Sequence, residues 1–78
     1  MLDALTLPHQ AHGTARVNDA RLNVRAEPRP DAPILGQLAA GEVVTVWALD
    51  DGWAIVQNVS GLTGWAAVAY MTLGELVA

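Results

Sequence analysis

The sequence predicts an all-β protein, a small barrel of about five to six short strands with one helical turn near the C-terminus. Short runs of alternating apolar and polar residues recur from residue 15 onward, as in half-buried strands. Glycine, proline, asparagine and aspartate interrupt these runs at short intervals. The chain of 78 residues is too short for a two-sheet sandwich of immunoglobulin size. Barrel closure also removes exposed strand edges, so we expect one barrel.

Composition narrows the class of protein. The apolar fraction is 53%, with three Trp, one Tyr and no Phe, which suits a compact β core better than a large enzyme scaffold. The sequence has no cysteine, which excludes disulfides and thiolate metal sites. The net charge is −4, and the four basic residues are too few to neutralise nucleic-acid phosphates. An acidic surface instead favours cationic or neutral partners.

The two ends of the chain differ from its middle. Residues 1–13 show no periodicity, and we expect them to form a flexible arm before a barrel domain at residues 14–78. The arm lacks a positively charged start and a long apolar run, so no signal peptide is predicted in this chain. The most apolar stretch, residues 62–78, is interrupted by Gly64, Gly74 and Glu75. It therefore predicts strands and a turn rather than a membrane span.

The first half of the domain is predicted to contain short strands around a stiff loop. Leu22 and Val24 fall on one face of a strand, and Asn23 and Arg25 fall on the other. Residues 26–33 contain three prolines, which lack the amide hydrogen that a sheet ladder needs. In chain order we predict strands at 16–18 and 22–25, a loop at 26–33 and a strand at 34–38.

The second half is built around the strongest strand pattern, residues 42–49. Val44, Val46 and Ala48 are predicted on one face, with Trp47 on the other. The following Asp50-Asp51-Gly52 predicts a hairpin turn, because Asp-Gly tolerates the positive φ of tight turns. Beyond it we predict a strand at 53–58, a turn at 60–61, a strand at 62–66, a helical turn at 67–71 and a last strand at 72–73.

Several pieces of sequence, in order, resemble the bacterial SH3 (SH3b) domain family. The opening pieces are Leu22-Asn23-Val24-Arg25, residues 34–38 and residues 41–46. The closing pattern is matched by Gly52-Trp53, Val56, Gly61, Gly64-Trp65 and Tyr70-Met71. The resemblance covers residues 15–73 and implies an SH3-like barrel. One departure is Ala54-Ile55, where relatives often carry a second aromatic and a polar residue after the first Trp.

The resemblance also implies a function. Members of the family are binding modules, commonly attached to cell-wall hydrolases or other envelope proteins, and often recognise peptidoglycan peptides. It implies a location in the cell envelope or outside the cell. Gly41 and Gly64 are expected at tight turns that need freedom in φ, and Trp53 and Trp65 are expected to cover the small core while leaving an edge for a ligand.

The sequence contains few of the residue types that form catalytic or metal sites. Catalysis requires a nucleophile with a base, or paired acids, in mutual reach. The sequence has no Cys or Lys, Ser60 is its only Ser, and both histidines lie in the arm. His9 and His12 form a poor metal site without cysteine or a carboxylate cluster, and Asn58-Val59-Ser60 is interpreted as a turn rather than a glycosylation site. We predict no enzyme and no cofactor.

The aromatic residues are the candidates for ligand binding. Trp47 is predicted to face outward, and an exposed Trp needs a cover, which a ligand, the arm or another subunit would provide. Glu27 and Asp31 in the proline-rich loop would form an acidic wall beside the aromatic residues, suited to a cationic peptide. The four arginines are interpreted as solvated positions. The candidate ligand-binding residues are Trp47, Trp53, Tyr70, Glu27, Asp31 and Asp50.

Two functions of different classes are therefore predicted. The first is a non-catalytic module that binds peptidoglycan peptides or another peptide or protein partner. The second is a structural subunit of a virion or another large particle, in which the barrel and the apolar termini, residues 1–7 and 73–78, contact neighbouring subunits.

Overall fold

The computed structural model describes residues 13–18 and 21–76, and it confirms the all-β prediction. In that part of the chain the one helical segment is the 3₁₀ helix Val68–Tyr70, which matches the predicted helical turn. The strands there number seven, one more than the upper estimate of six for the barrel, and each contains one of the predicted strand segments or overlaps it. They are β1 Gly13–Val17, β2 Arg21–Arg25, β3 Ile34–Ala39, β4 Val43–Asp50, β5 Trp53–Gln57, β6 Thr63–Ala67 and β7 Met71–Leu76. The predicted arm at residues 1–13 lies outside the described residues except for Gly13, where β1 begins.

All seven strands belong to one antiparallel sheet with the order β3-β2-β6-β5-β4-β1-β7. Every strand contributes to a single cluster of buried apolar side chains. A flat sheet would hold its outermost strands far apart, so the shared core requires that the sheet curls on itself into an SH3-like barrel. Among the described residues no ladder joins β3 to β7, and both strands contribute to the shared core through Leu38 and Met71. The core cluster consists of Ala15, Val17, Leu22, Val24, Leu38, Val44, Val46, Ala54, Val56, Ala66 and Met71.

Strand β4 follows the predicted alternation only as far as Val46. Val44 and Val46 are buried in the core, as expected. A β-bulge then interrupts the register between Val46 and Ala48, which makes Trp47 an extra residue. Ala48 pairs with Ile55 and is only half-buried. The prediction that Ala48 shares the inner face with Val44 and Val46 is therefore wrong, because the bulge shifts the alternation by one residue.

The outer face of the sheet carries a second, smaller group of buried side chains. Ile55 and Trp65 are buried but lie outside the core cluster, and they are direct neighbours across β5 and β6. Trp65 is opposite Arg25 of β2, whose Nη1–H donates to the carbonyl oxygen of Ala32 at 2.8 Å. Ala32 is itself buried. The proline-rich loop, residues 26–33, therefore folds against the outer face at this point.

The hairpin between β4 and β5 is the one that the sequence predicts. Asp51 has φ 49° and Gly52 has φ 87°, the left-handed values that a two-residue type I′ turn requires. Asp50 and Trp53 close the ladder on either side of it. Replacing Gly52 with alanine is expected to lower the free energy of unfolding by about 1 kcal/mol, because a Cβ is strained at this φ. Urea denaturation measures the change, and Asp51→Asn, which tolerates the left-handed region, is the control expected to keep the wild-type midpoint.

Candidate ligand groove between β2 and β6

A groove opens on the outer face where β2 and β6 separate. The two strands pair only at Arg25 and Trp65, whereas β2 pairs with β3 along its whole length. Beyond that contact β6 passes into the 3₁₀ helix and leaves β2 on the other side of a cleft of about 540 Å³. Its lining residues are Arg21, Leu22, Asn23, Arg25, Pro30, Trp53, Ala67, Ala69 and Tyr70.

The aromatic wall of the groove is positioned by backbone hydrogen bonds. Trp53 is the first residue of β5 and pairs with Ala67 of β6, so it lies on the outer face. The backbone N–H of Val68 donates to the carbonyl of Gly52 at 2.9 Å, which fixes the 3₁₀ helix beside the hairpin. The carbonyl of Tyr70 accepts a bond from the N–H of Asn18, also at 2.9 Å. Trp53 is half-buried and Tyr70 is 49% exposed, so both remain accessible to a ligand.

The opposite wall is the polar face of β2. Leu22 and Val24 point into the core, so the alternation turns Arg21, Asn23 and Arg25 outward. Arg25 is half-buried and is held by its bond to the loop carbonyl. The side-chain oxygen of Asn23 accepts a bond from Gln37 at 2.9 Å, which steadies the middle of this wall.

The proline-rich loop does not supply the predicted acidic wall. Arg29 donates from Nε to Glu27 at 2.8 Å and from Nη1 to Asp31 at 3.1 Å. The hydrogen bond that Arg29 donates to Glu27, followed by the charges of Glu27 and Asp31, raises the pKa of the Arg29 guanidinium above its ordinary value. Both carboxylates are thus engaged within the loop, and Pro30 is the loop residue that lines the groove.

The structure brings together only some of the predicted ligand-binding residues. Trp53 and Tyr70 line the groove, and Asp50 pairs with Trp53 at its margin without lining it. Trp47 also lies elsewhere, half-buried, and donates its Nε1–H to Gln57 at 3.1 Å. Trp47 is therefore partly exposed, and its indole N–H is bonded to Gln57 rather than left free. Whether any of these residues binds a ligand stays a prediction.

Sequence reasoning missed the arginines of β2. The alternation with Leu22 and Val24 already indicated that Arg21 and Arg25 point away from the core. The sequence does not show which strand lies beside β2. Strand β2 pairs with β6 after about 40 intervening residues and through a single register pair. Trp65, predicted to cover the core, is 8% exposed, and its Nε1–H has no acceptor among the described residues.

The part of the chain that the structure describes contains no group of three or more His, Cys, Asp or Glu side chains arranged to hold a metal ion. His9 and His12 lie outside the described residues. Within residues 13–18 and 21–76 there is also no helix long and apolar enough to cross a membrane. Asn58 lies in a turn, as predicted, with its side chain engaged in internal hydrogen bonds.

The fold and the groove define a small SH3-like barrel of the kind that serves as a binding module. The chain belongs to the bacterial SH3 domain family, whose sequence profile matches residues 20–72. It is also 38% identical over 68 residues to the putative N-acetylmuramoyl-L-alanine amidase YrvJ of Bacillus subtilis (strain 168). That alignment covers 87% of this chain but only 13% of the Bacillus protein.

Proposed function

We propose that this domain is a non-catalytic module that binds a short extended peptide, with peptidoglycan peptides as the foremost ligands, in the groove between β2 and β6. The observation that carries the proposal is the pairing of an aromatic wall, Trp53 and Tyr70, with the polar wall of β2. The family supports it, because bacterial SH3 domains are binding modules. So does the relative, whose name refers to the N-acetylmuramoyl-L-alanine junction of peptidoglycan. On this proposal the domain works at the cell wall.

The shape of the groove suits a ligand of a few residues. Its volume of about 540 Å³ lies in the range of small-ligand pockets. Aromatic faces supply most of the contact area of such sites, and convergent polar groups fix the ligand's direction. A half-open cleft admits part of a longer polymer, which an enclosed cavity would not.

The same lining argues against catalysis at this place. The described residues around the groove include no histidine, serine or carboxylate, so they provide no nucleophile with its base and no acid pair. The chain spans 13% of the amidase relative, and we do not assign that protein's activity to it.

Replacing Trp53 with alanine is expected to weaken binding of soluble peptidoglycan fragments about tenfold or more, because Trp side chains dominate such interfaces. Isothermal titration or backbone NMR shifts measure the affinity. The matched control is Trp47→Phe, which loses the bond to Gln57 outside the groove and should keep the wild-type affinity. Unchanged binding by Trp53→Ala, or shifts that avoid the groove residues, would count against the proposal.

The assembly-subunit hypothesis retains one supporting observation. Ile34 and Leu35 of β3 are 53% and 46% exposed at one end of the strand order. Its other motivations are weaker, because Trp47 is partly covered and residues 1–7 lie outside the described part of the chain. Light scattering tests it directly. A mass that rises with concentration favours self-assembly, and a monomer at all concentrations argues against it.

A further inference from the structure

We propose that the groove recognises a carboxylate of its peptide ligand, through Arg25 with a smaller contribution from Arg21. This inference rests on the proposed function and specifies the chemistry of the ligand. It reverses the expectation, drawn from the net charge of −4, that the module prefers cationic peptides.

The groove has a charge opposite to that of the chain. Among the described residues, its lining contains two arginines and no acidic side chain. Glu27 and Asp31, the nearest loop carboxylates in sequence, are both engaged by Arg29. Exposed charges are screened over about 8 Å at physiological ionic strength, so a bound ligand responds most strongly to the arginines that line the groove.

Arg25 is the better placed of the two. Its backbone lies at the one register pair that joins β2 to β6, opposite the buried Trp65. Its Nη1–H is bonded to the carbonyl of Ala32 at 2.8 Å, which fixes the guanidinium while other N–H donors of the group remain. A planar guanidinium with fixed orientation matches the two oxygens of a carboxylate. Little side-chain entropy is then lost when the ligand binds.

The distance between Arg21 and Arg25 sets the length of the ligand. Arg21 and Arg25 lie on the same face of β2, four residues apart, a distance of about 13 Å in an extended strand. A ligand that spans the groove between them is therefore an extended segment of about four residues. Arg21 is exposed, so its charge is better solvated and its contribution to affinity is smaller.

The test compares a peptidoglycan stem tetrapeptide bearing free carboxylates with the same tetrapeptide in which the carboxylates are amides. Both are titrated into the whole chain, and the affinity is read from backbone NMR shifts. We expect the amide form to bind about tenfold more weakly, which is the effect of losing a charge-assisted hydrogen-bond pair. Rising NaCl concentration should weaken the carboxylate form and leave the amide form almost unchanged.

Variants assign the effect to Arg25. Arg25→Gln should remove most of the difference between the two peptides, and Arg25→Lys should restore part of it, because the charge returns without the planar geometry. Arg21→Gln, which touches no hydrogen bond that secures the loop, should reduce the difference about twofold to threefold. The matched control is Arg16→Gln in β1, an identical change of charge at an exposed position outside this groove.

The outcomes separate the two proposals. Equal affinity of the two peptides for the wild-type protein overturns carboxylate recognition and leaves the binding function intact. Failure of both peptides to bind overturns both proposals. Inorganic phosphate that displaces the carboxylate peptide at millimolar concentration identifies a general oxyanion site and overturns the assignment to a peptide carboxylate. A preserved difference in Arg25→Gln shows that another residue is responsible.

Discussion

Replacing Gly64 with alanine is expected to lower the free energy of unfolding by about 2–3 kcal/mol, a cost typical of overpacking a rigid site. A Cβ at this position would lie 2.7 Å from the carbonyl oxygen of Arg25, 2.7 Å from Val24 Cγ1 and 3.1 Å from Leu35 Cδ1. The first of these is backbone, which cannot move away without separating β2 from β6. For a domain of this size the loss corresponds to a fall of roughly 10–20 °C in Tm.

Gly36→Ala is the matched control. A Cβ there would also be crowded, at 2.8 Å, but by Leu62 Cδ2 at the end of a flexible side chain. That methyl group can rotate away, so the expected loss is below about 1 kcal/mol. Thermal unfolding followed by circular dichroism compares the two variants. Equal stability of Gly64→Ala and Gly36→Ala would show that the close approach of β6 to β2 is not a fixed contact.

Replacing Asn58 with alanine is expected to cost about 2 kcal/mol of stability. The side-chain oxygen accepts bonds from the Ser60 and Leu62 backbone N–H groups at 3.1 and 2.9 Å, and from the Ser60 hydroxyl at 2.9 Å. The side-chain nitrogen donates to Glu42 at 3.1 Å. Asn58 thus joins the turn between β5 and β6 to the one between β3 and β4, and its removal leaves the part-buried N–H of Leu62 unpaired.

Two variants sharpen this prediction, each measured by urea denaturation. Val59→Ala alters the neighbouring residue, whose side chain is 98% exposed, and should change nothing. Asn58→Asp keeps the accepting oxygens but replaces the donor to Glu42 with a second carboxylate, so an intermediate loss is expected. An Asn58→Ala variant within about 0.5 kcal/mol of the wild type would mean that water replaces these bonds at no cost.

The sequence was sufficient where local chemistry decides the structure. Asp51-Gly52 predicted the hairpin because few dipeptides accept two successive positive φ values, and both residues adopt them. The alternation through Val44 and Val46 predicted two core residues. The SH3b resemblance was confirmed by the family match over residues 20–72. Each of these features depends on residues that are close together in the chain or on an ordered pattern of them.

The sequence was insufficient where distant strands meet. Gly64 was expected at a tight turn, but it lies inside β6 without a positive φ. Glycine is needed here because the backbone of β2 lies so close that a Cβ atom at position 64 would clash with it. No local sequence pattern indicates this contact. The bulge at Trp47 and the groove at Arg25 were missed for the same reason, since both depend on which residue lies opposite in the neighbouring strand.

The pairing of β1 with β7 has a consequence for how the domain is used. Gly13, where β1 begins, lies directly opposite Leu76, where β7 ends. The first residue of β1 and the last residue of β7 are therefore neighbours. A host protein could carry the barrel as a domain inserted between two chain positions that lie close together. Such a module can be gained, lost or duplicated during evolution without disturbing the fold of the protein that carries it.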